Sequence, residues 1–560
     1  MKGMQKIFVA LFLLICFSWI CRPGLQAQDQ KYAMHGWQLM DYRQDGIFGA
    51  GVTKAYKAIL KEKKSHTVIV AVIDGGVDTA HEDLVGHIWT NPKEIPGNGI
   101  DDDHNGYVDD VHGWNFVGGK DGRNITEESY ESYREYYRLN PSHSLSQDVV
   151  HTEASEHAYW VKVKKSFLKD SMMQAQTVSK VGQMIPQMRA TDSVLKIALH
   201  KDSVYARDLE ELETTDSATE LAKRSGLLYF KRYWIAPDMA LGKFIREAMR
   251  YLVGARLELK SFSDDPNALR KEIVGDDFNN INDRNYGNNN IAAGTSTHGT
   301  HVAGIIAASR NNGKGIDGVA DHVLIMPIRA VPEGDERDKD VALAIRYAVD
   351  NGALIINMSF GKYFSPGKKW VDDAVRYAED HDVLLVHNAG NEEVDIDTLA
   401  NFPNPDYEGL NGRSSTFLTV AANGGGPDSL VVARFSNYGQ KEVDLFAPGV
   451  KVYSTVPGNQ YETYSGTSMA CPVVAGIAAL LLEYYPRLSA RQVKYVLTHS
   501  VLKIPDSLVK LSATGKRVDF STLSASGGIV NAYNALKLAA TLKGERGKTL
   551  RMKTVHANRN

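Results

Sequence analysis

Six short apolar runs recur along this chain: Val68–Ile73, Val323–Ile328, Ala353–Asn357, Val383–His387, Phe417–Ala421 and Glu442–Leu445. Helical patterns such as Asp340–Asn351 and Lys369–His381 lie between them. No other feature narrows the fold as much. A strand that follows a helix returns in the direction of the strand before it, so the runs assemble into a parallel sheet with helices on both faces. The expected fold class is α/β, a doubly wound, mostly parallel sheet, closed by helices around Ser489–Ser500 and Gly528–Ala540. In such sheets reactive side chains gather at the carboxyl ends of strands and in the adjoining loops.

Three segments carry side chains suited to chemistry. Val68-Ile-Val-Ala-Val-Ile-Asp74 is a β run ending on a carboxylate. His298-Gly-Thr-His-Val-Ala-Gly304 sets an imidazole beside a glycine, which lets another stretch of backbone come close. Gly466-Thr-Ser-Met-Ala-Cys-Pro472 runs into the apolar stretch Val473–Leu482, a helix expected to be entered near its first turn, where proline is tolerated. Ser468 then sits at a helix N-terminus, where unpaired N–H groups favour developing negative charge. A lone Asp, His or Ser in such places is more often structural or capping. Asp74, His298 and Ser468 together suggest a serine hydrolase.

These segments resemble those of the subtilisin-like serine peptidases, including their Asp…His…Ser order, which is the family's known order and does not follow from spacing. The resemblance spans roughly residues 45 to 120 and 273 to 540. It implies an endopeptidase acting on protein or peptide substrates, with His298 rather than His301 as the base. Val386-His-Asn-Ala-Gly-Asn-Glu392 is similar to the family's Ala-Gly-Asn segment and implies an oxyanion-stabilising role for Asn391. Ile355-Ile-Asn-Met-Ser-Phe-Gly361 resembles the segment that pairs with extended substrate, which implies that Ser359, Phe360 and Gly361 line it. One position departs from the pattern: the family has Ser or Thr after its Asp, and this chain has Gly75. Backbone N–H groups are therefore expected to hold Asp74. His381, His387 and Cys471 carry no motif and are read as structural.

Met1 to Ala27, with Lys2 and Lys6 before the apolar run Ile7–Ile20, reads as a signal peptide for export to the periplasm or the outside. Lipoprotein processing at Cys21 is the lesser alternative, because Ser18-Trp-Ile20 lacks the small residues of that route. A stable membrane span is not expected. Removal of residues 1–27 leaves Cys471 alone and excludes an internal disulfide. The net charge of −3 gives no reason to invoke nucleic acid. Oligomeric state is open. For stability without disulfides, calcium is the expected structural ion. In Asp101-Asp-Asp-His-Asn-Gly-Tyr-Val-Asp109, Asp101, Asp103 and Asn105 match the first, third and fifth positions of a calcium loop. Asp109 matches the ninth, and His112 at the twelfth excludes a full EF-hand. The polar stretch Asp276–Asp283 reads as a loop rather than an ion site.

Residues 28–64 are too few for a core of their own, so Trp37, Tyr42, Phe48 and Tyr56 are expected to pack on a catalytic domain spanning 65–540. Residues 118–274 interrupt that domain. Tyr130, Tyr133 and Tyr137 share a helical face there, as do Ile245, Met249 and Leu252, so a long, mainly helical insertion is expected. It could form a lid or a specificity element. The basic tail 541–560 is expected to be disordered.

Overall fold

The structure is a computed structural model describing residues 35–140, 154–233, 235, 239–409, 412–426, 431–504, 508–511 and 514–547. Residues 1–27, read as a signal peptide, with Cys21 among them, and the tail beyond residue 547 lie outside the described residues. The described residues form two compact units, one within Ser132–Ala268 and, separately, one made of 35–131 with 269–547.

The larger unit is built on a nine-stranded sheet. In chain order its strands and those of two hairpins are β1 (Val68–Asp74), β2 (Trp114–Asn115), β3 (Val323–Arg329), β4 (Ile355–Met358), β5 (Leu384–Asn388), β6 (Phe417–Asn423), β7 (Leu445–Pro448), β8 (Val452–Val456), β9 (Gln460–Tyr464), β10 (Leu502–Lys503), β11 (Leu508–Lys510), β12 (Arg517–Asp519) and β13 (Gly528–Ile529). Across the sheet the order is β2-β3-β1-β4-β5-β6-β7-β13-β10, and every pairing is parallel except β10 with β13. From β1 the chain passes to β3 on one side and then to β4 on the other. The crevice of a doubly wound sheet opens at such a reversal.

Side-chain alternation explains the layers. Val68, Val70 and Val72 of β1 point into one apolar core, while Ala71 and Ile73 point into the other. The first core is filled by the helices α1 (Thr297–Ala307), α4 (Thr467–Tyr484), α5 (Ala490–His499) and α6 (Ala532–Ala539). The second is covered by α2 (Asp338–Asp350) and α3 (Lys368–Asp380). With both faces covered, the strands read as apolar runs. Helix α4 is long and apolar enough to cross a membrane, but it is buried in this core.

Several expected boundaries move. β7 begins at Leu445 rather than Glu442, because the Lys441 and Glu442 N–H groups donate to the Asp397 carboxylate instead of to a ladder. Gly528 and Ile529 form β13, so the last helix starts only at Ala532, capped by Asn531. α4 starts at Thr467, which puts Pro472 beyond its first turn. The part of the tail at 541–547 is tied down: Arg546 donates to the Leu488 and Asp382 carbonyls. Trp37 is buried and donates to the Val450 carbonyl at 3.0 Å, Phe48 and Tyr56 join the apolar clusters, and Tyr42 stacks on Phe48.

Every regular element among the described residues of the unit Ser132–Ala268 is a helix, with long helices at Ala154–Leu199, Ser217–Arg232 and Leu241–Ser261. Its own core joins Ile185, Met188, Leu195, Phe230, Phe244, Ile245 and Leu252. Residues 118–131 and 269–274 belong with the sheet.

Candidate active site

Asp74 is the last residue of β1 and is nearly buried. Its Oδ1 accepts the Gly75 N–H at 2.7 Å, and both carboxylate oxygens lie 2.8–2.9 Å from Nδ1 of His298. An acceptor-only carboxylate requires the proton on Nδ1, which leaves the Nε2 lone pair free to act as a base. His298 occupies the first turn of α1, and Gly299 explains how a helix comes so near the strand end. A Cβ at that glycine would fall 2.2 Å from the Gly76 carbonyl oxygen and 3.1 Å from the Asp74 Cβ. Burial disfavours the imidazolium, yet the Asp74 charge and hydrogen bond outweigh it, and the His298 pKa rises above its ordinary value. The more distant Glu333 acts in the same direction. The His298 side chain remains 44% exposed.

Ser468 lies in the first turn of α4. Its hydroxyl donates to the Ser359 carbonyl at 3.2 Å, the Ser359 hydroxyl donates to the Ser468 carbonyl at 3.0 Å, and Asn357 donates to the Ser359 hydroxyl at 3.0 Å. Ser359 is thus a buried strut for Ser468. Asn391 follows β5. Its Oδ1 accepts both the Thr467 N–H at 2.8 Å and the Thr467 hydroxyl at 3.0 Å, which decides the amide orientation and turns its NH2 away from Thr467. The Thr467 hydroxyl in turn accepts from the Gly390 N–H.

Of the three segment residues, Gly361 is exposed. A Cβ there would lie 2.8 Å from the Asn401 Oδ1. The Phe360 side chain, expected to line a cleft, is instead buried in the core against His387, because it points into the sheet face that α2 and α3 cover. The Phe360 carbonyl accepts the His387 Nε2–H at 2.7 Å. His387, read as structural, therefore positions the segment that the sequence singled out. Its signal was a polar residue at the end of an otherwise apolar strand. Burial pulls its pKa down to about 4. His301, stacked on Tyr464, is pulled down to about 3 by burial and by His298. Burial pushes the Cys471 thiol up to about 12, which leaves it unreactive.

The acidic loop is arranged differently from its linear pattern. The Asp109 carboxylate accepts the N–H groups of Gly97, Asn98 and Gly99, and the Asn105 amide is spent on Tyr107 and Asp110. Asp101 and Asp103 do come together, and Glu94 joins them with all three ligand atoms within 4.8 Å of one another. The linear pattern assumes a loop wrapped around one ion, whereas here the Gly97–Gly99 turn folds back onto Asp109. Burial raises the Glu94 pKa, and its Oε2 has no hydrogen-bond partner. The stretch from Asp276 is a structural loop as expected, with Asp276 ion-paired to buried Arg270 and Lys339.

Known proteins are similar to this chain in sequence. The chain is 37% identical over 248 residues to a thermophilic serine proteinase of Bacillus sp. (strain AK1), a match covering 43% of this chain and 52% of that protein. It is 36% identical over 211 residues to subtilisin DY of Bacillus licheniformis, covering 38% of this chain and 72% of that one. Thermitase of Thermoactinomyces vulgaris is 35% identical over 276 residues, or 49% of this chain and 85% of that one. The chain thus spans about half the length of the first of these relatives. The profile of the subtilase family matches residues 65–527, most of the chain, and the chain belongs to that family.

Proposed function

We propose that this chain is an exported serine endopeptidase that cleaves peptide bonds through an acyl-enzyme on Ser468. The observation that carries this reading is the Asp74–His298 pair, held at 2.8 Å, together with Ser468 in the first turn of α4. Ser468 is a weak nucleophile at neutral pH. Its proton must leave the Ser359 carbonyl for His298 Nε2 as the hydroxyl attacks, and His298 then returns it to the leaving amine. Asp74 holds the imidazole tautomer and stabilises the imidazolium without taking the proton. The Asn391 NH2 and the Ser468 N–H donate to the oxyanion, in a helix first turn that carries no carboxylate to oppose it. An extended peptide pairs with the backbone at Ser359–Gly361, and His387 keeps the Phe360 carbonyl from turning. Residues 1–27 direct export, a reading supported by the basic start and apolar run of that segment. The test is peptide release from denatured casein by the mature chain, with Ser468→Ala prepared in parallel. Activity is expected in the parent and not in the variant. Equal activity in both would refute the assignment.

Glu94, Asp101 and Asp103 offer the hard oxygen donors that calcium takes, and the buried, partnerless Glu94 Oε2 calls for a cation. Calcium bound there would supply the positive charge that holds residues 94 and 101–103 of the loop together, and no step of catalysis passes through it. Chelation is expected to lower Tm in the parent and by much less in Glu94→Gln. An equal shift in both would remove Glu94 from the site.

A further inference from the structure

A second group of metal-ligating side chains lies far from the active site. Asp321 and His322 stand immediately before β3, and Glu483 closes the last turn of α4. One ligand atom from each residue lies within 4.8 Å of the other two. Glu483 is fully buried, and its Oε1 accepts the His322 N–H at 3.0 Å. Its Oε2 is buried and receives no N–H or O–H from the described residues. The His322 Nδ1 lies 3.1 Å from Asp321 Oδ1, with about half of the imidazole side chain open to solvent.

Two carboxylates cannot both stay ionised side by side in a poorly solvated place without a proton or a cation between them. Nearby Arg310 is engaged with the Gly318 carbonyl, Asp317 and the face of Tyr56. The carbonyl end of α4 adds negative potential where Glu483 sits.

We propose that Asp321, His322 and Glu483 form a binding site for a divalent transition-metal ion of the zinc type, with the His322 side leaving a coordination position for water. The donor chemistry selects the ion. An imidazole with two carboxylates suits zinc and its neighbours, whereas calcium takes oxygen donors only. The site lies 15 residues along α4 from Ser468 (483 − 468), about 22 Å at the helical rise, so the ion is structural rather than catalytic. It joins the end of α4 to the entry of β3. The His66 N–H, which donates to the Glu483 carbonyl at 2.8 Å just before β1, is joined to the same point.

The test is zinc titration of the mature chain carrying Ser468→Ala to prevent autolysis, with calcium in excess so that oxygen-only sites are filled. Calorimetry is expected to report one zinc per chain and a rise in Tm, and cobalt in its place should give a visible absorption band. A direct ligand should matter at least as much as an outer-shell partner, so His322→Ala and Glu483→Gln should each weaken zinc binding at least ~10-fold. His322 is at the surface, so its variant reads the site even if Glu483→Gln does not fold. Absence of zinc binding to folded protein would overturn the proposal, leaving a proton shared between Glu483 and Asp321. Zinc bound with unchanged affinity in the variants would overturn it as well.

Discussion

Acid should destabilise this protein in part through a histidine that takes no proton in the proposed reaction. His387 is 1% exposed, donates to the Phe360 carbonyl and has its pKa pulled down to about 4 by burial. In the unfolded chain it protonates near about 6.5. A histidine depressed by folding binds fewer protons in the native state than in the unfolded one. Stability is therefore lost as pH falls through the unfolded value, and the loss continues until the folded value is reached. The full difference of roughly 2.5 pKa units amounts to about 3.4 kcal/mol, and by about pH 5 some 2 kcal/mol of it is lost. His387→Gln keeps an N–H donor for the Phe360 carbonyl and removes the titration. The assay is urea unfolding of the two chains at about pH 7 and about pH 5, both carrying Ser468→Ala. Carboxylates and ion sites are common to both and cancel in the difference. The variant should lose about 2 kcal/mol less on acidification than the parent. The same acid loss in both would refute the reasoning, because His387 would then not be held neutral by the fold.

Three further outcomes follow from the site. Asn391→Ala should lower kcat by about 10²–10³-fold with little change in KM, a magnitude known from such donors in this family, and steady-state kinetics on a short peptide would check it. Because Asp74 raises the His298 pKa, the acid limb of kcat/KM should have its midpoint above the ordinary 6.5, with activity climbing as pH rises through it. Gly299→Ala would put a methyl 2.2 Å from the Gly76 carbonyl oxygen, forcing α1 from the end of β1. Both Tm and kcat should fall, with a stability loss of about 1–3 kcal/mol by urea unfolding.

The sheet was legible because its strands are buried on both faces and read as apolar runs, which marks β1 and β3–β6 almost to the residue. The β8–β9 hairpin was not found. Its outer strand, Gln460–Tyr464, is mostly exposed and carries no apolar alternation, although Pro457-Gly458-Asn459 marked the turn. The glycine beside His298 was legible as a point of close approach, and the close neighbour is the Gly76 carbonyl. Partners distant in sequence were harder to read. Nothing local says that Thr467 orients Asn391, or that Glu94 rather than Asp109 joins Asp101, since each depends on where the chain returns. Phe360 misled for a related reason. A residue next to a substrate-binding backbone can point the other way, and the strand's period of two decides which face it takes.

Helix α4 shows how one element can serve opposite charges at its two ends. Its first turn carries no acidic residue and presents Ser468, so negative charge developing on a reacting carbonyl oxygen meets the favourable potential of a helix N-terminus. Its last turn offers carbonyls and a buried carboxylate, Glu483, whose raised pKa records how unwelcome a second negative charge is there. A proton or a metal ion relieves that end. Between the ends the helix is buried and apolar, which fixes its axis against the sheet and lets neither terminus shift to escape its charge. The burial that makes α4 a rigid support for Ser468 is therefore also what leaves Glu483 in need of a cation. A change that freed the last turn, such as Glu483→Gln, should leave the geometry at Ser468 nearly untouched while removing the zinc dependence of Tm. Loss of zinc response together with intact peptide cleavage would separate the two ends of the helix experimentally.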